Sequence, residues 1–180
     1  MRRPYSREGR GQAPPLPPRF RGLVQDGIHF PLEDAMKMID VGAKEKTRRV
    51  ALARGWVSMK KETLERIRAN QVEKGDVLAA ARLAGIMAAK RTPDIVPLCH
   101  PIALTSVEVL LNMLDEPPRV CIEARVETTD RTGVEREALH AVCAAALTVY
   151  DMLKSVDRGM AIGEVALHHK SGGRSGEWTR

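Results

Sequence analysis

The chain has 180 residues, of which 43% are hydrophobic and 29% are charged, and its net charge is +6. This composition is typical of one globular domain and excludes a disordered protein. The apolar runs are shorter than the roughly 18 residues of a membrane span, and no apolar segment follows the N-terminus as in a secretory signal. The three cysteines are widely spaced and fit no zinc or iron–sulfur pattern. We therefore expect a cytoplasmic protein without a metal site.

The positive charge is concentrated at the start of the chain. Residues 1–22 contain six arginines and one glutamate, so they hold +5 of the net charge and leave +1 for the other 158 residues. Five prolines in this stretch exclude a regular helix. We predict a flexible basic arm over residues 1–30 and one folded domain over residues 31–180. The functional alternatives for the arm are RNA binding and organelle targeting, although prolines disrupt the amphipathic helix of a transit peptide.

The first part of the domain reads as a strand followed by a helical stretch in two parts. Weak alternation predicts a strand over 49–57, and apolar residues at helical spacing indicate a helix over 63–70. Asp76 has the side chain of a helix N-cap, and the residues after it predict a second helix over 77–91. Pro93 is expected to end that helix.

The middle of the domain has the clearest pattern. Apolar and polar residues alternate over 106–113 and again over 120–127, which predicts two half-buried strands. Residues 115–118, Asp-Glu-Pro-Pro, lie between them and predict a turn. We therefore expect an antiparallel hairpin.

A long helix and a last strand complete the domain. The helix is predicted to open at Thr132 and Gly133 and to end near Ser155, and a strand is predicted over 160–169. Residues 141–150 are apolar on every side apart from one threonine, and such a helix must be covered all round. We infer that this helix, or the face beside it, packs against another subunit.

The resulting order is β-α-β-β-α-β, which predicts an α+β, ferredoxin-like fold with an antiparallel sheet and helices packed on one face. RNA-recognition domains share this order, but they need aromatic residues on the middle strands for base stacking. The two hairpin strands contain no Phe, Tyr or Trp. Nucleic-acid binding is therefore the weaker interpretation.

Lysines, arginines, one histidine and a few carboxylates recur where the predicted elements begin and end. The segments that carry them are 40–44 with 47–49, 74–76, 89–92 with 97–101, 133–137, and 150–154 with 170–176. Neither a metal-ligand pattern nor a Walker-type loop accompanies them. This combination favours an anionic, phosphorylated small molecule handled by acid–base chemistry.

Each candidate residue also has a simpler explanation. Asp151 and Lys154 are spaced as a surface ion pair, although Lys154 also follows the most apolar helix, where a lysine pKa falls. Lys74 precedes a helix start, which favours anions. Cys99 and His100 are adjacent in sequence, so their side chains are poorly placed to act as nucleophile and base. We favour His100 as a polar substrate contact, and the alternative is a histidine whose hydrogen bonds are satisfied within its own loop. The 170–176 segment suits a phosphate cradle or a frayed C-terminus.

Six of the motifs together resemble a known family. They are 74–77 (Lys-Gly-Asp-Val), 84–92 (Ala-Gly-Ile-Met-Ala-Ala-Lys-Arg-Thr), 97–101 (Pro-Leu-Cys-His-Pro), 132–135 (Thr-Gly-Val-Glu), 145–152 (Ala-Ala-Leu-Thr-Val-Tyr-Asp-Met) and 170–173 (Lys-Ser-Gly-Gly). In this order they resemble the MoaC-type cyclic pyranopterin monophosphate synthases of molybdenum cofactor biosynthesis. The resemblance covers about residues 38–176, which makes 31–180 a catalytic domain, and leaves the arm unmatched.

The resemblance implies a specific reaction. The family converts (8S)-3′,8-cyclo-7,8-dihydroguanosine 5′-triphosphate to cyclic pyranopterin monophosphate and releases diphosphate, without a redox cofactor. Its members have a ferredoxin-like fold and form hexamers, trimers of dimers, with active sites at the dimer interface. That arrangement agrees with the apolar helix described above.

The resemblance also implies a role for individual residues. Asp151 matches the active-site aspartate, and Lys74 and Lys154 match paired lysines for proton transfer. Leu98, Cys99 and His100 match one substrate-binding segment, Arg136 and Glu137 match the other, and Asp40, Lys44, Arg49, Glu135 and Lys170 fall where the family gathers further pocket groups. The family usually has methionine where this chain has Arg136, and cysteine is common where it has Leu153.

The mechanism expected from these roles is that repulsion between Lys74 and Lys154 lowers the pKa of at least one of them. Asp151 then orients a lysine while cationic groups hold the triphosphate. Two alternatives remain: a nucleic-acid binder that uses the arm, and a related enzyme for another nucleotide, indicated by Arg136 alone. Deletion of residues 1–22 separates the first from the enzyme, because it removes salt-dependent nucleic-acid affinity and spares turnover.

Overall fold

The computed structural model describes residues 36–180, so the basic arm predicted over residues 1–30 lies outside the described residues. In this part of the chain the elements are β1 (Thr47–Ser58), α1 (Lys61–Arg68), α2 (Val77–Lys90), α3 (Thr92–Ile95), β2 (Leu104–Leu114), β3 (Arg119–Asp130), α4 (Glu135–Leu153), β4 (Ala161–Ser171) and β5 (Trp178–Thr179). The order and spacing of the long elements confirm the predicted succession.

The strands form one antiparallel sheet in the order β2-β3-β1-β4-β5. The predicted hairpin is confirmed, with Val107 opposite Val126 and Met113 opposite Val120. The chain crosses from β1 through the helices to β2, and β3 returns between them, which is the split arrangement of ferredoxin-like domains. The predicted α+β fold is therefore confirmed, and β5 is a short addition at the sheet edge.

The helices pack on one face of the sheet because that face carries the apolar half of each strand. Ala51, Ala53 and Val57 on β1 are buried, as are the corresponding apolar residues of β3. α2 packs closely on α4 at Gly85, where a Cβ would lie 3.0 Å from the backbone oxygen of Ala141. The small residues at this crossing let the two helices lie close together.

The helix ends show which boundaries depend on local sequence. Asp76 is the N-cap of α2, as predicted, and its Oδ1 accepts a hydrogen bond from the backbone N–H of Ala79 at 2.9 Å. Pro93 does not simply end the helix, because it lies in the first turn of α3, where proline needs no intrahelical partner for its nitrogen. α1 begins at Lys61, two residues before the predicted start, and α4 begins at Glu135, after the predicted opening.

A buried carboxylate fixes the start of α1. Asp157 is 3% exposed and accepts hydrogen bonds from the backbone N–H groups of Lys60 and Gly159, both at 3.0 Å, and from the hydroxyl of Thr63 at 3.1 Å. Lys60 is the N-cap residue of α1 and has no side-chain cap bond of its own. Asp157, close to β4, therefore supplies the cap from a distant part of the sequence.

Part of the helical layer remains exposed in the single chain. Leu147 on α4 and Leu83 on α2 are each 61% exposed, and Cys143 is also exposed. The opposite side of α4, including Ala141 and Val149, is fully buried. None of the helices in residues 36–180 has both the length and the apolar composition that crossing a membrane requires.

Candidate functional site

Two lysines meet one carboxylate at the C-terminal end of α4. Asp151 lies in the last turn of α4 and Lys154 is the C-cap residue, while Lys74 lies in the loop before α2. Lys74 Nζ is 2.7 Å from Asp151 Oδ2, and Lys154 Nζ is 2.7 Å from Asp151 Oδ1. Gly75 has a φ of 97°, which permits the tight turn after Lys74. We call these three residues the lysine–aspartate group.

The charges of this group stabilise one another. Hydrogen bonds from Lys154 and then from Lys74 lower the pKa of Asp151 to about 2. Asp151 in turn raises the pKa of Lys154 above its ordinary value. The expectation that Lys154 has a lowered pKa is therefore wrong for this chain. The reason is that the carboxylate lies between the two ammonium groups, which are about half exposed, so attraction to Asp151 outweighs mutual repulsion.

A second group of charged residues surrounds the N-terminal end of α4. A cavity of about 420 Å³ opens there, which we call the cationic cavity, and it is lined by Lys44, Arg49, Arg131, Thr132, Gly133, Glu135, Arg136 and Ser175. Lys170 joins this group, because its Nζ is 3.4 Å from Glu135 Oε1 and donates to Ser175 Oγ at 3.0 Å. Guanidinium and ammonium groups in this number favour a polyanion.

The cavity wall is held by side-chain to backbone hydrogen bonds. Arg49 Nε donates to the carbonyl of Asp130 at 2.8 Å, and its Nη2 donates to the carbonyl of Arg131 at 3.1 Å. Arg131 Nε donates to the carbonyl of Lys44 at 2.9 Å. The loop before β1 and the turn before α4 therefore hold each other in place.

Arg131 is a cavity residue that the sequence reasoning missed. It lies directly before the Thr132 and Gly133 motif, and this position between a strand and a helix is the signal that indicates it. In the segment predicted as a phosphate cradle or a frayed C-terminus, Gly172 and Gly173 have φ values of 94° and 72°, and a Cβ on Gly173 would overlap the Arg49 guanidinium. The glycine thus leaves space for the Arg49 guanidinium.

The predicted 98–100 segment meets the first turn of α4. Cys99 is 4% exposed, and its Sγ donates to Glu137 Oε1 at 3.2 Å, while Leu98 is 43% exposed and His100 is half-buried. Asp40 stands apart from the cavity lining. It is exposed, and its Oδ1 accepts the backbone N–H of Gly42 at 2.7 Å, which closes its own turn.

The two groups lie at opposite ends of one helix. Glu135 is the first residue of α4 and Asp151 is in its last turn. A helix rises about 1.5 Å per residue, so roughly 24 Å separates their backbones. Within residues 36–180, the lysine–aspartate group and the cationic cavity are therefore two separate groups of side chains. The described residues include no cluster of three His, Cys, Asp or Glu side chains placed to hold a metal ion.

Comparison with known proteins places the chain in a family. The model of the MoaC family matches residues 38–173. A cyclic pyranopterin monophosphate synthase of Thermomicrobium roseum is 57% identical over 152 residues, which cover 84% of this chain and 92% of that protein. Proteins of the same name from Pelotomaculum thermopropionicum (57% identity, covering 84% of this chain and 89% of that protein) and from Roseiflexus sp. (54%, covering 86% and 98%) are also similar.

Proposed function

The chain belongs to the MoaC family, and on that premise we propose that it is a cytoplasmic cyclic pyranopterin monophosphate synthase of molybdenum cofactor biosynthesis. Its substrate is (8S)-3′,8-cyclo-7,8-dihydroguanosine 5′-triphosphate, and its products are cyclic pyranopterin monophosphate and diphosphate. The names of the matched relatives support the activity, and the charges of the lysine–aspartate group and of the cationic cavity support the substrate class.

The cationic cavity suits the triphosphate. Lys44, Arg49, Arg131 and Arg136 surround it, and Glu135 is the carboxylate of its lining. Charge-assisted hydrogen bonds from guanidinium groups to phosphate are strong and directional. In the proposal these residues hold the polyanion, and 98–100 with Glu137 contact the remainder of the substrate.

The lysine–aspartate group supplies the acid–base chemistry. A lysine is ordinarily protonated at neutral pH, and Asp151 raises the pKa of Lys154 further, so Lys154 begins the cycle as an acid. Lys74 is its partner in proton transfer, and Asp151 holds both ammonium groups in place. No redox cofactor or metal takes part in the proposed steps.

The observation that carries the proposed location of the site is the separation of about 24 Å between the two ends of α4. We propose that one substrate molecule binds to both groups, which are then two half-sites supplied by two copies of the chain. A two-fold dimer with antiparallel α4 helices places the N-terminal end of one beside the C-terminal end of the other, and creates two equal sites.

Exposed apolar residues support association. Leu83 and Leu147 form part of an apolar helical surface, and Leu110 and Leu114 are each 41% exposed on the outer face of the sheet. We propose that these residues belong to two apolar contact surfaces, since contiguous exposed apolar patches mark protein–protein contacts. Two such faces allow two kinds of contact, as a hexamer built as a trimer of dimers requires.

The direct test is turnover by the full chain. The protein is incubated with the cyclised triphosphate, without added metal or redox cofactor, and the pterin and diphosphate are measured. The proposal predicts equal molar amounts of both products, and none from Asp151→Asn at the same concentration. Binding of the substrate without release of diphosphate would contradict it.

A further inference from the structure

A groove of about 250 Å³, which we call the sheet groove, crosses the outer face of the sheet on the side away from the helices. Its side chains come from β1, β2, β3 and β4, and on β1 and β3 they alternate with the buried residues that face the helices. The sheet groove shares no lining residue with the cationic cavity, and the lysine–aspartate group does not line it. The proposed reaction therefore leaves this groove without a role.

Trp56 and Arg119 stack in the sheet groove. The Cζ atom of Arg119 lies 4.8 Å from the centroid of the Trp56 ring, which is the geometry of a cation–π contact. Gly163 pairs with Trp56 on β4 and leaves room for the indole, because a Cβ on Gly163 would lie 2.9 Å from Trp56 Nε1. The stack holds the guanidinium through its flat face, so its N–H groups remain for other partners.

The charge of Arg119 has no carboxylate partner in the part of the chain that the structure describes. None of the salt bridges among residues 36–180 includes Arg119. Its Nε is buried without a hydrogen-bond acceptor, whereas the residue as a whole is half-buried and its two outer nitrogens are not enclosed. A guanidinium that is fixed in this way is a receptor for a carboxylate, which accepts two parallel N–H bonds.

The other charges of the sheet groove limit the charge of its ligand. Arg54 is paired with Glu123 across β1 and β3, with 2.6 Å between Nε and Oε2, so their charges offset one another. Glu164 forms no salt bridge within residues 36–180, and its φ of 43° lies in the left-handed region that residues other than glycine rarely adopt. Backbone strain of this kind gathers at binding sites. Because Arg119 and Glu164 then balance each other, the groove suits a monoanion and disfavours a polyanion.

We propose that the sheet groove is a second binding site of this protein, and that its ligand is a small aromatic monocarboxylate. The carboxylate accepts hydrogen bonds from Arg119, and the ring packs against the apolar part of the lining, which includes Trp56 and Cys121. Asn112 on β2 and His168 on β4 supply further polar contacts. Pockets for drug-sized ligands measure roughly 300–1,000 Å³, so a groove of about 250 Å³ suits a ligand with one ring. The site stands independently of the proposed function.

Tryptophan fluorescence of the full chain tests the site with benzoate as the probe. The sequence has two tryptophans, so Trp178→Phe leaves Trp56 as the reporter. Benzoate should change the Trp56 emission in a saturable way with a dissociation constant in the millimolar range, as expected for so small a ligand. Benzamide has the same shape without the charge and should bind at least about tenfold more weakly, because the guanidinium loses its charged acceptor. Inorganic phosphate should cause no saturable change.

Arg119→Met tests the receptor itself, with Arg125→Met as the matched control on the same strand, outside the groove lining. Arg119→Met should weaken benzoate binding at least about tenfold, and Arg125→Met should leave the dissociation constant unchanged. If Arg119→Met does not fold, Arg119→Lys, which lacks the planar fork, and the comparison of benzoate with benzamide on the Trp178→Phe protein make the same test. The proposal would be overturned by the absence of a saturable response to benzoate, by equal affinities for benzoate and benzamide, by unchanged affinity in Arg119→Met, or by phosphate binding as strong as that of benzoate.

Discussion

Lys74 and Asp151 are joined twice, since the same ammonium donates to the carboxylate at 2.7 Å and to the backbone carbonyl at 2.9 Å. The two bonds hold the loop before α2 against the last turn of α4. A lysine that serves only as a surface ion pair contributes little to stability. This one is fixed at a position where two further charges converge, which indicates a chemical role.

Lys74→Ala is therefore expected to abolish turnover, by at least about 100-fold in kcat, because it removes a proton-transfer group while the fold remains intact. Steady-state kinetics and size-exclusion chromatography make the measurement. Lys61→Ala, at the exposed start of α1, is the matched control. Near-wild-type product formation by Lys74→Ala would reject the assignment.

Asp151→Asn should lower the pKa of Lys154, because the carboxylate is the first cause of its raised value. NMR titration of the Lys154 ammonium in labelled protein measures the change without any need for turnover. In wild type, Asp151 should remain ionised down to about pH 2. An unchanged Lys154 titration in the variant would show that the contact does not persist in solution.

Arg136→Met, which installs the residue usual in the family, tests whether the guanidinium contacts the triphosphate. If it does, KM should rise about threefold to thirtyfold with kcat little changed, and the salt dependence of KM should weaken. Arg66→Met on the exposed surface of α1 is the control. A KM equal to wild type would instead assign this contact to the backbone.

Asp157→Ala should destabilise the protein by about 2–3 kcal/mol, because it leaves the backbone N–H groups of Lys60 and Gly159 and the hydroxyl of Thr63 without their acceptor. Urea unfolding measures the change, with the exposed Asp94→Ala as control.

The hydrogen bond from Lys60 is the largest cause that lowers the pKa of Asp157. The folded protein thus binds fewer protons than the unfolded chain, so this stability is present above the ordinary carboxyl pKa and is lost as pH falls below it. An equal loss of stability with acid in Asp157→Ala and wild type would contradict this account.

The sequence predicted those helices and strands that are determined by residues close together in the chain. The hairpin follows from alternation in two adjacent segments, and the start of α2 follows from Asp76, whose partner is three residues away. The predicted start of α4 was too early because Arg49 binds the carbonyls of Asp130 and Arg131, which helps to hold this segment in a turn. That contact spans about 80 residues of sequence, and no local pattern reveals it.

For the candidate site too, the sequence predicted what local motifs determine and missed what depends on distant parts of the chain. Motifs indicated most of the residues, but not that they form two groups at opposite ends of α4, which requires the length and direction of that helix. The prediction that the pKa of Lys154 is lowered was also wrong, because the pKa is raised by Asp151, which lies between the two lysines. Arg131 was missed because its role comes from a backbone carbonyl of Lys44.

Complementation between two inactive variants is the most direct test of a site shared by two copies. Lys74→Ala lacks one half-site, and the double variant Lys44→Ala/Lys170→Ala lacks the other. When the two are coexpressed, half of the randomly formed dimers are mixed, and each mixed dimer has one intact site, so about a quarter of wild-type activity should return. If each chain contained a complete site by itself, the mixture would remain as inactive as its components, and the account would be contradicted.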